Sequence, residues 1–171
     1  GVTGNNNIPT STIGQAEGFN YHSNRSTIEC RTATATCQDG KEHTRRLRLY
    51  RNSDEGCFLE FPKLNEAGIV KVCISNGHAT QASYKLSLEK KNASGGWDLV
   101  EEFSIINLTG SGGANHTSLS FGKSTFTGSP GSYAGGISSS AITFRLRNTT
   151  SGSGNDSGSI YLLNLSVSPY N

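Results

Sequence analysis

Residues 83–105 read SYKLSLEKKNASGGWDLVEEFSI, two apolar alternations joined by a polar turn that contains a Gly-Gly pair. Apolar residues at every second position are typical of a strand with one buried face. In the first strand that face carries Tyr84, Leu86 and Leu88. Because turn residues separate the two alternations, the stretch predicts an antiparallel hairpin, and a chain built from such hairpins forms an all-β domain.

Trp97, the only tryptophan of the chain, begins the second strand of this hairpin. It has the parity of Leu99, Phe103 and Ile105, so a regular strand would turn it toward the core. A bulge near the Gly-Gly pair would reverse that orientation and expose the ring, which could then stack on a sugar. We therefore predict a core position for Trp97, with the exposed ring as the alternative.

Outside this hairpin, short strand-like segments recur between turn signals along most of the chain. They lie at 27–36, 44–50, 56–62, 68–75, 82–89, 97–105, 117–121, 141–147 and 159–167. One face of the eighth segment carries Ile142, Phe144 and Leu146, and one face of the ninth is predicted to carry Tyr161, Leu163, Leu165 and Val167. No segment keeps a helical period over ten residues. About nine strands predict a two-layer antiparallel β-sandwich of jelly-roll type, with an up-and-down barrel as the alternative.

Length and charge limit the domain count and the classes of partner. The 171 residues suffice for one sizeable β-domain, which we place at 15–171. Residues 1–14 carry no periodicity and are interpreted as a flexible linker or arm. A net charge of +2 is too small to indicate nucleic-acid binding, and no apolar run approaches a membrane span.

The four cysteines allow three complete disulfide pairings. The segments GCFLEFP and GIVKVCIS are predicted to be consecutive strands around the turn KLNEAG, which would place Cys57 opposite Cys73. We therefore predict a Cys57–Cys73 disulfide, with buried free thiols as the alternative. The absence of a C-x-x-C motif argues against a zinc site.

No catalytic motif occurs, and the histidines are scattered. Glu101 and Glu102 are adjacent, so they should point to opposite faces and cannot act as a glycosidase pair. We expect no enzyme activity and no cofactor. A structural calcium ion could bind loop oxygens, although no calcium motif supports it. The loop residues considered are Asn52, Asp54, Glu55, Asn155 and Asp156.

Basic residues form a candidate binding feature comparable to Trp97. In EHTRRLRLYRN, residues 42–52, inward Leu47 and Leu49 would leave Arg46, Arg48 and Tyr50 pointing outward in a row. A second outward pair is Arg145 and Arg147. Guanidinium groups bind carboxylates with paired hydrogen bonds, and a tyrosine offers a sugar an apolar face, so these residues could bind an acidic polysaccharide. The alternative is a solvated strand face.

Three segments carry a resemblance to a known family: SGGW at 94–97, FRLRN at 144–148 and GSIYLLNLSV at 158–167. Over residues 40–168 the chain resembles β-sandwich carbohydrate-binding modules attached to secreted bacterial polysaccharide lyases and glycoside hydrolases. These motifs specify a sandwich rather than a ligand. The chain also has Asn164 where the family often has Asp, which weakens any expectation of a metal contact there.

The resemblance implies a non-catalytic carbohydrate-binding module for a plant-type polysaccharide, pectin-like if acidic. The expected partners are that polysaccharide and an adjacent catalytic domain of the same chain, with no nucleic acid and no membrane. We expect a monomer that is secreted, cell-surface or periplasmic in a bacterium. The candidate binding residues are Arg46, Arg48, Tyr50, Trp97, Tyr133, Arg145 and Arg147.

The alternative function is a structural or adhesive spacer module without a small ligand. The two hypotheses differ in the placement of the aromatic side chains. A binding module should present at least two of them together at the surface, whereas a spacer should bury them.

Overall fold

The computed structural model describes residues 6–9, 19–22, 27–37, 40, 42–50, 58–76, 83–106, 116–122, 126–127, 134–151 and 158–171. No helix occurs within these ranges, and therefore none that is long and apolar enough to cross a membrane. The described residues contain thirteen strands, β1 to β13 in chain order, which form three antiparallel sheets.

The first sheet has six strands in the order β1-β3-β4-β13-β6-β9. Their bounds are Asn6–Pro9 (β1), Thr27–Thr36 (β3), Glu42–Leu49 (β4), Ile160–Val167 (β13), Val70–Asn76 (β6) and His116–Phe121 (β9). The second sheet has five strands in the order β2-β5-β12-β7-β8. Their bounds are Asn20–His22 (β2), Phe58–Glu60 (β5), Phe144–Asn148 (β12), Ser83–Lys91 (β7) and Trp97–Ile106 (β8). A two-stranded ribbon consists of Phe126–Thr127 (β10) and Ala134–Gly135 (β11).

The core lies between the six-stranded and five-stranded sheets. Apolar side chains from the inner faces of both sheets form one buried cluster. Its fully buried members include Leu49, Val70, Ile74 and Ile160 from one sheet and Tyr84, Leu86, Leu88, Phe144 and Leu146 from the other. The chain crosses repeatedly from one sheet to the other, as in a jelly roll. The predicted two-layer antiparallel sandwich is therefore confirmed, and the barrel alternative is wrong.

All nine predicted strand segments coincide with strands, and four short strands were not predicted. One of these is β1, Asn6–Pro9, which pairs with β3. This strand lies within residues 1–14, the segment interpreted as a flexible linker or arm. The others are β2, β10 and β11, each two or three residues long. Such short strands show no alternation of their own, because only their partners define them. The domain boundary after residue 14 stays a prediction.

A bulge in β13 changes which of its side chains face the core. In β13 the register shifts between Leu162 and Asn164. Ile160 and Leu162 therefore belong to the main core, whereas Leu163 packs with two cysteines on the opposite face. The prediction that Tyr161 and Leu163 share a face with Leu165 and Val167 is wrong, because the extra residue reverses the alternation.

Hydrogen bonds connect the two sheets through the core. The hydroxyl of Tyr21 in β2 donates to the carbonyl oxygen of Arg48 in β4 at 2.8 Å. The side-chain amide of Asn148, fully buried at the end of β12, donates to the carbonyl oxygens of Leu49 at 3.0 Å and Gly158 at 2.8 Å. These bonds satisfy buried polar groups and hold the register of one sheet against the other.

The disulfide joins Cys37 and Cys73, not Cys57 and Cys73. The prediction assumed that the strands on either side of KLNEAG form a hairpin. They do not, because β5 belongs to the five-stranded sheet and β6 to the six-stranded sheet. Cys37 instead follows β3 in the same sheet as β6, and its bond packs against Leu163. Cys57 lies outside the described residues.

Candidate functional site

The five-stranded sheet carries an organised group of rings and charges on its outer face, the face turned away from the core. Directly paired residues of neighbouring strands share a face. The register pairs Glu60 with Arg145, Arg145 with Glu89, and Glu89 with Leu99. Phe58, two residues from Glu60, and Trp97, two residues from Leu99, therefore lie on this same outer face.

Trp97 does not face the core, so the core position predicted for it is wrong. The register of β7 and β8 shifts between Leu88 and Glu89, where Val100 is the additional residue of β8. This bulge puts Trp97 and Leu99 on the outer face, while Phe103 packs against the core. Trp97 is half-buried, and Leu99 is 61% exposed. The additional residue, Val100, lies four residues after Gly96, close to the Gly-Gly pair where a bulge was the alternative prediction.

The rings of Phe58 and Trp97 come together above Arg145. Their centroids are 6.2 Å apart with planes tilted by 58°. The guanidinium carbon of Arg145 lies 4.8 Å from the Phe58 centroid and 4.6 Å from the Trp97 centroid. At these distances a guanidinium is attracted by the π-faces of both rings. We call Phe58, Trp97, Arg145, Arg147 and Glu89 the aromatic cluster.

Glu89 compensates the charges of two arginines in the aromatic cluster. Its carboxylate accepts from Arg145 Nε at 2.5 Å and lies 2.8 Å from a terminal nitrogen of Arg147. The Glu89 side chain is only 7% exposed, whereas that of Arg147 is 33% exposed. The two predicted outward arginines are therefore confirmed in position, but both already contact a carboxylate.

Three further polar side chains border the aromatic cluster. The ammonium of Lys91 is 5.5 Å from the Trp97 centroid and 3.7 Å from a carboxylate oxygen of Glu60. His22 stacks on Phe58 with centroids 4.1 Å apart, and its Nε2 lies 3.4 Å from the other oxygen of Glu60. Lys91 and His22 are both about half exposed, so each is accessible to a ligand on this face.

The second predicted group, Arg46, Arg48 and Tyr50, lies on the other sheet and does not form an exposed row. Tyr50 is buried in the main core, and Arg48 is 8% exposed. Arg46 stacks on the ring of Tyr161 at 4.0 Å, and Arg48 lies 4.6 Å from the ring of Tyr50. The prediction of an exposed Tyr50 is wrong, because core side chains and the guanidinium of Arg48 cover its ring and leave it 6% exposed.

Several candidates fall outside the described residues. They are Tyr133 and the five loop residues considered for calcium, Asn52, Asp54, Glu55, Asn155 and Asp156. Within the described ranges, no group of three or more His, Cys, Asp and Glu side chains could hold a metal ion. The calcium site therefore stays a prediction.

The strand acids of the described ranges are engaged by other groups. Glu101 accepts a hydrogen bond from the backbone nitrogen of Gly122 at 2.8 Å. Glu102 lies on the outer face, where it accepts from Thr149 at 2.7 Å and from Lys85 at 2.9 Å. The hydrogen bond from Thr149 lowers the pKa of Glu102 below its ordinary value, burial opposes this, and Lys85 lowers the pKa further. Glu101 and Glu102 do not share a site, as predicted.

Phe58, Lys91, His22 and Leu99 were not among the predicted site residues. One signal was available for Phe58, because Leu59 and Phe61 alternate as core residues and leave Phe58 facing outward. An aromatic side chain on the polar face of a strand is a recognisable sign of a surface site. No comparable signal existed for His22, whose strand was not predicted.

The chain was compared with protein-family models, curated proteins and solved structures, and only solved structures resemble it. No family model matches the chain, and no curated protein matches it. Among solved structures, it is similar to a family 28 carbohydrate-binding module specific for non-crystalline cellulose, at 12% identity over 98% of both chains with a TM-score of 0.49.

Two modules from Clostridium thermocellum are also similar. The C-terminal family 22 module of Xyn10B is 12% identical over 99% of this chain and 96% of that chain, with a TM-score of 0.47. A family 11 module in complex with a β-1,3-1,4-mixed-linked tetrasaccharide is 10% identical over 99% of this chain and 98% of that chain, with a TM-score of 0.42. At these identities the similarity concerns the fold alone.

Proposed function

We propose that this chain is a non-catalytic carbohydrate-binding module whose binding surface is the outer face around the aromatic cluster. The observation that carries the proposal is the convergence of two partly exposed rings, Phe58 and Trp97, from strands that are not neighbours. A sugar stacks its apolar C–H face on such rings while polar groups bind its hydroxyls. Arg147, Lys91 and His22 border the rings and can supply those hydrogen bonds.

The composition of this face supports a preference for an acidic, pectin-like polysaccharide of the plant type. Three permanent cations, Arg145, Arg147 and Lys91, surround the rings together with two carboxylates, Glu89 and Glu60. One positive charge therefore remains, and a single uronate would balance it. Lys91 is the cation best placed for this role, because its 3.7 Å ion pair with Glu60 is long and exposed.

The positions of the acids support the absence of catalysis. Glu60 on β5 and Glu89 on β7 both pair with Arg145 on β12. Because β12 lies between β5 and β7, the backbones of the two glutamates are about 10 Å apart. Each of these carboxylates already contacts cations, and Arg145 occupies the space between them. A glycosidase needs the space between its two acids for the scissile bond, and the Arg145 side chain lies in that space here.

The Cys37–Cys73 disulfide supports an oxidising compartment, as expected for a secreted, surface or periplasmic protein. We propose that the module acts as a monomer beside a catalytic domain of the same chain. Such a module keeps that domain close to an insoluble polymer, which raises the local enzyme concentration without adding a catalytic group.

The experiment is a binding panel in affinity electrophoresis and calorimetry with polygalacturonate, xylan and cello-oligosaccharides. The unchanged protein should bind at least one of them, and Trp97→Ala should weaken that binding by about tenfold or more. Lack of binding to every member at millimolar concentration would refute the proposal and favour the spacer module.

Matched lysine variants test the acidic preference. Lys91→Gln should reduce affinity for polygalacturonate by about threefold to tenfold and reduce affinity for neutral oligosaccharides less, because glutamine keeps a hydrogen-bond donor but loses the charge. The control is Lys71→Gln, which removes an exposed strand lysine from the other sheet. Equal effects of the two substitutions would show that Lys91 has no specific contact with a uronate.

A further inference from the structure

The rings of Phe58 and Trp97 are much closer to each other than the strands that carry them. Phe58 is on β5 and Trp97 on β8, with β12 and β7 between them. Three strand spacings separate the backbones by about 14 Å. The ring centroids are nevertheless only 6.2 Å apart, so both side chains lean toward the middle of the sheet.

Arg145 is the group on which both rings rest. It projects from β12, and its guanidinium carbon lies within 5 Å of both centroids, at 4.8 and 4.6 Å. Its side chain is 15% exposed, because the rings cover it from the solvent side. The orientation of Phe58 and Trp97 therefore depends on where this guanidinium is held.

Glu89 holds that guanidinium. Its carboxylate lies on β7, directly paired with Arg145, and accepts from Nε and from a terminal nitrogen of the same fork. Two contacts to one planar group fix its orientation as well as its position. The second oxygen contacts Arg147, so Glu89 also separates two cations that would repel each other on the same strand face.

We propose that Glu89 is a positioning residue of the binding face, acting through Arg145 to set the geometry of Phe58 and Trp97. At 7% exposure its carboxylate is too covered to serve as a ligand contact itself. A salt bridge that only stabilised the sheet would not need to lie under the two rings. The sugar-binding consequence of this proposal rests on the function proposed above, whereas the ring geometry can be measured without any ligand.

The test uses Trp97, the only tryptophan, as a fluorescent reporter. Glu89→Gln keeps the size of the side chain and removes its charge. It should shift the Trp97 emission to longer wavelength and increase its quenching by acrylamide, because the ring loses its support. Affinity for polygalacturonate or cellohexaose should fall by about threefold to tenfold, the range expected for one weakened cation–π contact.

The control is Glu102→Gln, which removes another carboxylate from the same outer face, one that contacts Lys85 and Thr149 instead. It should leave the emission maximum and the quenching unchanged. Equal spectral changes in Glu89→Gln and Glu102→Gln would overturn the proposal, since any loss of charge on the face would then suffice. Unchanged Trp97 fluorescence in Glu89→Gln would also overturn it, whatever happens to affinity.

A second variant covers the case in which Glu89→Gln does not fold. Arg145→Lys keeps the positive charge but lacks the planar fork that Glu89 holds. It should give the same red shift and the same increase in quenching, and native-like spectra would contradict the proposal. If the unchanged protein binds none of polygalacturonate, xylan and cello-oligosaccharides, the proposed function fails, while the fluorescence result still decides whether Glu89 positions the rings.

Discussion

The disulfide gives the prediction whose magnitude follows most directly from the structure. Cys37 and Cys73 are bonded and lie 36 residues apart in the sequence. Removing the bond lets the unfolded chain regain the entropy of a loop of that length. The chain-entropy relation gives about 13 cal/mol/K, or about 4 kcal/mol near room temperature. For a domain of 171 residues, this corresponds to a decrease in Tm of about 8–16 °C.

The assay compares Cys37→Ser, Cys73→Ser and the double substitution in urea unfolding. Either single substitution breaks the bond, so each should cost about 4 kcal/mol, and the double variant should cost little more. Cys57→Ser is the control, because non-reducing peptide mapping of this variant should still recover the peptide that joins Cys37 and Cys73.

Three results would refute the pairing. One is a full additive loss in the double variant, which would show that the two cysteines act independently. The other is a cross-linked peptide that contains Cys57 and Cys73, as the sequence had suggested. A free thiol at Cys37 in the oxidised protein would have the same meaning.

Three further substitutions test other parts of the structure. Trp97→Ala should lower the free energy of unfolding by about 1–2 kcal/mol in thermal denaturation, less than the 3–5 kcal/mol typical of a core tryptophan, and a core-sized loss would contradict its place on the outer face. Asn148→Asp should cost about 3 kcal/mol, because a carboxylate cannot donate to the two buried carbonyls, and a stability near that of the unchanged protein would contradict this. Thr149→Val should raise the pKa of Glu102, measured by NMR titration. Since that pKa is lowered in the folded state, its stabilising effect is present above the unfolded pKa and disappears as pH falls through the folded pKa. The variant should lose this contribution at a higher pH, and an unchanged pKa would contradict the role of Thr149.

Local alternation was enough to predict nine of the thirteen described strands and most of the core. Leu86, Leu88, Phe144 and Leu146 are buried where the two-residue period places them. The same period predicted that Arg145 and Arg147 point away from the core. These outcomes depend only on the geometry of a single strand, in which successive side chains alternate between faces.

The candidate site could be predicted only in part, because its members come from four strands. Trp97, Arg145 and Arg147 were recognised as binding candidates, but Phe58 and Lys91 were not. Tyr50 was predicted to be exposed, but it is buried. A sequence pattern predicts which way a side chain points, but not which residues on other strands lie beside it.

The all-β sandwich, nine of its strands and the outward direction of Arg145 and Arg147 follow from the alternation of residues along single strands. The orientation of Trp97, the cysteine pairing and the meeting of two rings over Arg145 are set only in the folded domain, for two reasons. A one-residue bulge reverses every side chain beyond it, and the partner of a strand is chosen by packing between sheets, at distances along the chain that no local pattern contains.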